Sequence, residues 1–166
     1  MGNQQGNADD FDIGWLAGFI DGEGSFNIHR RDYAKGQRGY RPWFTVANTH
    51  AETLSRVTSI LDALGIAYHV AWSHDRVRGR RALWRVTITG LKRMERWLTV
   101  IGPRLFTKRC QAELLLRFVQ LRLANSGWRI GLSDEEKALV PQLLTMNRPE
   151  SLTDYTPGRD LQARMV

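Results

Sequence analysis

The sequence of 166 residues has a single cysteine, five prolines and no long apolar run. One cysteine, Cys110, excludes an intrachain disulfide and is typical of a reducing compartment. Since no stretch of about 18 consecutive apolar residues occurs, the sequence predicts no transmembrane helix. The first ten residues lack the basic and apolar regions of a secretory signal. We therefore expect an intracellular, non-secreted protein, and the choice between a bacterial or archaeal cytoplasm and an organelle stays open.

Acidic residues are too few to balance the basic ones. The chain has 17 Asp and Glu against 24 Lys and Arg, which gives a formal net charge of +7. This excess favours a polyanionic partner. Ten of the 24 cations lie in two short windows, residues 27–41 and 76–85, and nine of those ten are arginine. Arginine binds phosphate and can form two hydrogen bonds with a guanine edge. A merely solvated charged face is the alternative interpretation.

Hydrophobic periodicity and turn signals predict the order helix, hairpin, helix, hairpin, helix, with further helices appended. Two hairpins can join into one antiparallel sheet with helices on one face, so we predict an α+β fold. We expect one domain over residues 10–148, between a flexible N-terminus at residues 1–9 and a polar tail at residues 149–166.

Polar residues at three places are candidate helix caps. Asp12 is a candidate N-cap of the first helix. Thr49 with Glu52 is a candidate capping box for the second helix, and Ser133 with Glu136 forms the same pattern before the last helix.

The uncovered face of the predicted sheet is rich in side chains that bind DNA. Alternation along the strands places Asn27 and His29 on this face, and an antiparallel ribbon of this kind fits the major groove. The cations expected at the loop tips are suited to phosphate contacts, and they are Lys35, Arg38, Arg76 and Arg78. Trp43 is ambiguous, because a tryptophan in a strand is more often packed in a core. The predicted DNA-binding residues are Asn27, His29, Arg31, Lys35, Arg38, Arg41, Trp43, Thr45, Arg76, Arg78, Arg81, Arg85 and Thr87.

Residues 14–26, GWLAGFIDGEGSF, place two carboxylates between glycines directly after an apolar helical run. Residues 16–24 match the nine-letter LAGLIDADG signature at six positions, which are Leu16, Ala17, Gly18, Ile20, Asp21 and Gly24. The three departures are Phe19, Gly22 and Glu23, and each resembles a substitution that the family accepts. The sequence therefore resembles a LAGLIDADG homing endonuclease of the single-motif, homodimeric branch, over roughly residues 10–125.

The resemblance implies the αββαββα fold with a saddle-shaped, DNA-binding antiparallel sheet. It also implies a site-specific double-strand DNA endonuclease that cuts a long pseudo-palindromic target, leaves short 3′ overhangs and initiates intron mobility. Because the chain has no second copy of the motif, we expect a homodimer through the motif helix. Two glycines four residues apart leave one helix face bare, which allows a close approach. The expected interface residues are Gly14, Ala17, Gly18 and Asp21.

The resemblance also assigns catalytic roles. The last acid of the family motif binds metal, so this role passes to Glu23, with the backbone carbonyl of Gly22 as a weaker candidate. Oxygen ligands beside a phosphodiester favour Mg²⁺, for which Mn²⁺ could substitute. Asn48 corresponds to the polar residue that orients water, although a neighbour of a helix cap explains it equally well. Lys108 corresponds to a basic residue near the cleavage centre, and Asp21 to the earlier, structural acid.

Two other functions fit the same fold without cleavage. An RNA maturase that assists intron splicing is one, although a single motif argues mildly against it. A DNA-binding regulator with an inactive nuclease centre is the other, but Glu23 and Lys108 are both present. The motif disfavours a basic structural protein that has no site.

Overall fold

The computed structural model describes residues 8–32, 38–73, 82–125 and 131–146. The order of elements is the one predicted from the sequence. In chain order they are α1 (Asp10–Glu23), β1 (Gly24–Asp32), β2 (Arg38–Asn48), α2 (Ala51–Ala63), β3 (His69–Ser73), β4 (Leu83–Thr89), α3 (Leu91–Ile101), a short 3-10 helix (Gly102–Arg104), α4 (Arg109–Ala124) and α5 (Asp134–Thr145).

The four strands form one antiparallel sheet in the order β1-β2-β4-β3. The two hairpins are joined through β2 and β4, where Thr45 lies opposite Thr87. Neighbouring side chains of a strand point to opposite faces of the sheet. Thr45 and Thr87 therefore lie on one face, while Phe26, Phe44 and Val86 lie on the other face, where they are buried. The helices pack on this buried face and leave the opposite face open, as expected for the α+β fold.

One hydrophobic core joins the buried face of the sheet to residues from all five helices. Its centre is aromatic. The rings of Phe26 and Phe44 lie 5.0 Å apart, and Phe44 lies 5.3 Å from Trp97 of α3, which is fully buried. None of the helices in the described part of the chain has both the length and the apolarity to cross a membrane.

Helix α1 begins earlier than the predicted cap. Its N-cap is Asp9, whose carboxylate accepts the backbone N–H of Asp12 at 2.7 Å. The prediction that Asp12 is the cap is therefore wrong. The Asp12 side chain instead pairs with Arg56 of α2 at 3.2 Å. Both aspartates are good capping residues, and this contact between helices engages the second one.

Helix α2 is capped by His50, not by Thr49. The imidazole Nδ1 of His50 accepts the backbone N–H of Thr53 at 3.3 Å, so the predicted capping box does not form. Glu52 instead lies 3.9 Å from the other ring nitrogen of His50. The helix ends in a Schellman motif at Gly65, whose φ of 63° suits glycine.

Helix α5 begins with the predicted capping box and is attached to α4 by a buried ion pair. Ser133 Oγ accepts the Glu136 N–H at 3.2 Å, and Glu136 Oε2 accepts the Ser133 N–H at 2.6 Å. The same carboxylate oxygen lies 3.2 Å from Nη1 of Arg122, and the two side chains are 0% and 3% exposed. The contact between Arg122 and Glu136 thus joins α4 to the start of α5.

Candidate functional site

The predicted site lies where α1 passes directly into β1. A Cβ atom on Gly24 would stand 2.7 Å from Cγ2 of Ile20 and 2.8 Å from its carbonyl oxygen, so the close approach of the chain requires glycine. The Gly24 N–H donates to that same carbonyl and closes the helix. Glu23 is consequently the last helical residue and stands immediately before the first strand.

Glu23 is exposed and has no ion-pair partner within the described part of the chain. The last turn of α1 contains no basic residue, and a helix C-terminus carries partial negative charge, so a cation is favoured there. The described residues contain no group of three or more His, Cys, Asp or Glu that could hold a metal ion. Among the described residues, Glu23 is thus an exposed carboxylate at the end of a helix, next in the chain to the backbone carbonyl of Gly22.

Asp21 is engaged by its own chain. Its Oδ2 accepts the backbone N–H of Phe106 at 2.7 Å, and its Oδ1 accepts the backbone N–H of Lys108 at 2.9 Å. Partial burial acts to raise the pKa of Asp21, but hydrogen bonds from the Phe106, Lys108 and Thr107 backbone and the nearby Lys108 charge lower it overall. Both partners lie in the loop before α4 of the same chain, so Asp21 joins the end of α1 to that loop.

Lys108 is the N-cap residue of α4 and is half-buried. Its ammonium Nζ donates to the backbone carbonyl of Asp21. This places a positive charge at the C-terminal end of α1, where the helix dipole favours it. The structure thus brings Lys108 to the same helix end as Glu23, although the two residues are far apart in the sequence.

Asn48 lies at the same end of the sheet. Gly24 pairs with Val46 in the ladder, so Asn48, two residues further on, stands beside the end of α1. Its side-chain oxygen accepts the backbone N–H of His50 at 2.9 Å. This bond supports the interpretation of Asn48 as a neighbour of the α2 cap.

One face of α1 is open. The glycines Gly14, Gly18 and Gly22 are exposed, and a Cβ atom added at any of them would meet nothing within 4 Å. Two exposed aromatic side chains lie near this face, because Phe11 is on α1 and Phe106 is bound through its N–H to Asp21. Phe11 is 72% exposed and Phe106 is 92% exposed.

Ala17 does not belong to this open face. It is 2% exposed and lies in the core of its own chain with Ile13, Leu16 and Ile20. The prediction that Ala17 is an interface residue is therefore wrong. Successive residues of a helix are about 100° apart around its axis, so position 17 lies on a different side from positions 14 and 18, and in α1 this is the buried side.

The open face of the sheet carries most of the described residues that were predicted to bind DNA. In the ladder between β1 and β2, Asn27 lies opposite Trp43 and His29 opposite Arg41. The His29 and Trp43 rings lie 4.9 Å apart, so this tryptophan is on the polar face and outside the core. Thr45 shares this face.

On β4, Arg85 and Thr87 continue the same face, since they pair with Ala47 and Thr45. Arg85 is exposed, whereas Thr87 is buried by its neighbours and offers little surface to a partner.

Two of the remaining predicted DNA contacts lie within the described strands. Arg31 lies in β1 and Arg38 in β2, where Asp32 is its backbone partner, so Arg38 belongs to the strand and not to the loop tip. Four further predicted contacts lie outside the described residues: Lys35, Arg76, Arg78 and Arg81.

Two surface features have no counterpart in the sequence-based prediction. The guanidinium of Arg56 lies 4.6 Å from the ring of Trp15, which stacks on Phe19 at 5.5 Å. Phe106 is the other feature, and the signal that could have identified it is an aromatic residue within a short polar loop just before a helix. Local spacing indicates neither the Arg56 contact nor the direction of Phe106.

Comparisons with known proteins agree with this geometry. The family profile described as a LAGLIDADG-like domain matches residues 10–102, more than half of the chain. No curated protein matches the sequence significantly.

Several solved homing endonucleases share the fold. The structure of I-TnaI has 17% identity and a TM-score of 0.63, over 87% of this chain and 91% of that one. The archaeal intron-encoded I-Vdi141I, complexed with DNA, has 17% identity and a TM-score of 0.61, over 82% and 84%. I-CvuI, in complex with the I-CreI target in the presence of 2 mM Mg, has 20% identity and a TM-score of 0.55, over 80% and 94%. At these identities the likeness establishes the fold.

Proposed function

Because the chain belongs to the LAGLIDADG family, we propose that it is a site-specific, Mg²⁺-dependent endonuclease that cuts both strands of DNA as a homodimer. The observation that carries the proposal is the position of Glu23. This exposed carboxylate ends α1, and the next residue begins the strand that bears Asn27 and His29 on the open face. The candidate catalytic carboxylate therefore lies directly beside the strand that forms part of the candidate DNA-binding surface.

The substrate is inferred from the open face and the charge. Arg41 and Arg85 lie on a polar antiparallel face of the kind that enters the major groove, where arginine binds guanine and asparagine binds adenine. The net charge of +7 supports binding to a phosphate backbone. The similarity in fold to I-Vdi141I, whose structure contains DNA, is a further argument for this substrate.

The donor groups at the end of α1 fit a divalent cation. The exposed Glu23 carboxylate and the Gly22 carbonyl would hold it, since both are oxygen ligands, and Mg²⁺ typically takes one or two carboxylates while keeping several waters. Mn²⁺ is expected to substitute. When bound, the cation would stabilise charge on the phosphodiester and lower the pKa of a bound water. The Lys108 ammonium would stabilise negative charge that develops on the phosphoryl oxygens.

Two features support the homodimer: the exposed Glu23 carboxylate at the end of α1 and the exposed glycine face of the same helix. A second copy of the chain would supply a second Glu23, and with it a matching centre for the second DNA strand. A symmetric pair related by a two-fold axis would bring the ends of two α1 helices together. The bare glycines allow close approach of the backbones, and Phe11 and Phe106 would be covered on either side. Such a dimer would read a long pseudo-palindromic target, leave short 3′ overhangs and initiate intron mobility.

The experiment that tests the proposal is cleavage of a plasmid library of candidate insertion sites, with Mg²⁺ compared with EDTA. We expect cutting at one long site with Mg²⁺ and none with EDTA. Glu23→Gln is expected to bind the same site and to cleave it at least about 100-fold more slowly, because a metal ligand is lost. Glu113→Gln, an exposed change on α4, is the matched control.

Two results would contradict the proposal. Tight binding to one site without any cleavage by the native chain would indicate a regulator or a maturase. Unchanged cleavage by Glu23→Gln would remove the metal-binding role from this residue.

A further inference from the structure

We propose that Asp21 is a positioning residue, whose carboxylate holds the loop of residues 105–108 against α1 and so fixes the Lys108 ammonium beside the helix end that carries Glu23. The catalytic consequence of this inference rests on the proposed nuclease function. Its geometric part, the control of Lys108 by Asp21, does not.

Asp21 holds the loop at two points. The two carboxylate oxygens accept N–H groups from Phe106 and Lys108, at 2.7 Å and 2.9 Å, across separations of 85 and 87 residues. Hydrogen bonds to an ionised carboxylate are stronger than neutral ones. Two bonds to alternate residues fix the orientation of the loop as well as its distance from the helix.

Lys108 is hydrogen-bonded to Asp21 through both its backbone and its side chain. Its backbone N–H donates to the Asp21 side chain, while its Nζ donates to the Asp21 backbone carbonyl. A free lysine side chain populates many rotamers, so holding its ammonium in one position costs conformational entropy. Because Asp21 holds both the backbone N–H and the ammonium of Lys108, the side chain is ordered before substrate binds. Such prior ordering is what allows a residue to position a catalytic charge.

The same contacts argue against Asp21 as a second metal ligand beside Glu23. Each of its carboxylate oxygens already accepts a backbone N–H, and the carboxylate is partly buried against its own chain. Glu23, in contrast, is exposed. The two acids of the motif therefore have different functions: Glu23 faces outward to the substrate, and Asp21 faces inward to the loop.

A direct test uses the scarcity of lysine, because the chain has only Lys35, Lys92, Lys108 and Lys137. The folded protein is treated with a limiting amine-acylating reagent, and the modification rate at each lysine is measured by peptide mass spectrometry. In Asp21→Asn we expect the acylation rate of Lys108 to rise about two- to tenfold relative to the rates of Lys92 and Lys137. This range corresponds to the loss of one hydrogen bond.

Glu113→Gln is the matched control for the change of an acid to an amide. It removes an exposed carboxylate from α4, which pairs with Arg109, and is expected to leave the Lys108 rate unchanged. Circular dichroism and thermal unfolding establish that both variants fold. An unchanged Lys108 rate in a folded Asp21→Asn protein would overturn the proposal.

Amide hydrogen exchange of the native chain gives a second measurement that needs no variant. The Phe106 and Lys108 amides are expected to exchange slowly, because each donates to the carboxylate. Fast exchange at both amides would overturn the proposal even if Asp21→Asn did not fold.

Kinetics then separate positioning from overall structure. With DNA saturating, Asp21→Asn is expected to lower the single-turnover cleavage rate without weakening DNA binding. Combined with Lys108→Met, it should add almost nothing to the loss caused by Lys108→Met alone, because both changes act through the same ammonium. Additive losses would contradict positioning through Lys108. If the native chain cleaves no DNA, the nuclease proposal fails, while lysine acylation and amide exchange still decide the role of Asp21.

Discussion

Replacing Gly18 by alanine is expected to have opposite effects on a single chain and on a pair of chains. In the single chain, the added Cβ would meet nothing within 4 Å, and the residue lies inside α1. An exposed glycine in a helix interior costs about 1 kcal/mol relative to alanine. Gly18→Ala should therefore stabilise an isolated chain by about 1 kcal/mol.

In a dimer that packs the glycine faces of α1 together, the same methyl group would be inserted twice, once from each copy. Overpacking of a close contact costs about 1 to 3 kcal/mol. A loss of this size raises the dissociation constant of the dimer roughly five- to 150-fold. Gly14→Ala should act in the same direction, since its Cβ also points into open space in the single chain.

The assay combines sedimentation velocity over a range of protein concentrations with urea unfolding at a concentration where the variant is monomeric. Gln120→Ala, at an exposed position on α4, is the control and should leave association unchanged. We expect Gly18→Ala to dissociate more readily and to need more protein for the same cleavage rate. If the variant were more stable while association and cleavage stayed at the native level, the glycine face would not be the interface.

Three further predictions concern stability and DNA binding. Glu136→Gln should lower the free energy of unfolding, measured by urea denaturation, by about 3 kcal/mol, because it removes the carboxylate charge that pairs with the buried Arg122 guanidinium; the exposed neighbour Glu135, changed to Gln, should have almost no effect. Arg85→Ala should weaken binding to the target site by about 1 to 3 kcal/mol and relax the base preference at one position, unlike Arg117→Ala on α4. Because the folded-state pKa of Asp21 is lowered, its ionised carboxylate should contribute fully to stability above about pH 4, and this contribution should disappear as the pH falls further. Urea unfolding between pH 2 and 7 should show that Asp21→Asn lacks this part of the pH dependence.

The parts of the fold that depend on local repetition could be predicted from the sequence. Strand alternation placed Asn27, Trp43 and Thr45 on one face, and the structure has them there, because a period of two is a property of any extended chain. The capping box of Ser133 and Glu136 was predictable for a similar reason, since its two hydrogen bonds span only three residues.

Helix starts were less predictable where two capable residues stand close together. Asp9 and Asp12 are both good caps, and Thr49 competes with His50. Capping energies differ by little among such residues, so contacts with other elements can decide between them. In this chain the Asp12 side chain is engaged by Arg56 of the neighbouring helix, which no local pattern indicates.

The sequence by itself determined the family, the two hairpins and the two acids at the end of α1, because these depend on a motif of nine residues and on short periodicities. The tertiary structure alone decided what the two acids contact. Asp21 meets the Phe106 and Lys108 backbone only because α1 and the loop before α4 pack together, more than 80 residues apart in the chain. A carboxylate binds whichever N–H groups folding brings to it, and that choice follows from the packing of the whole domain.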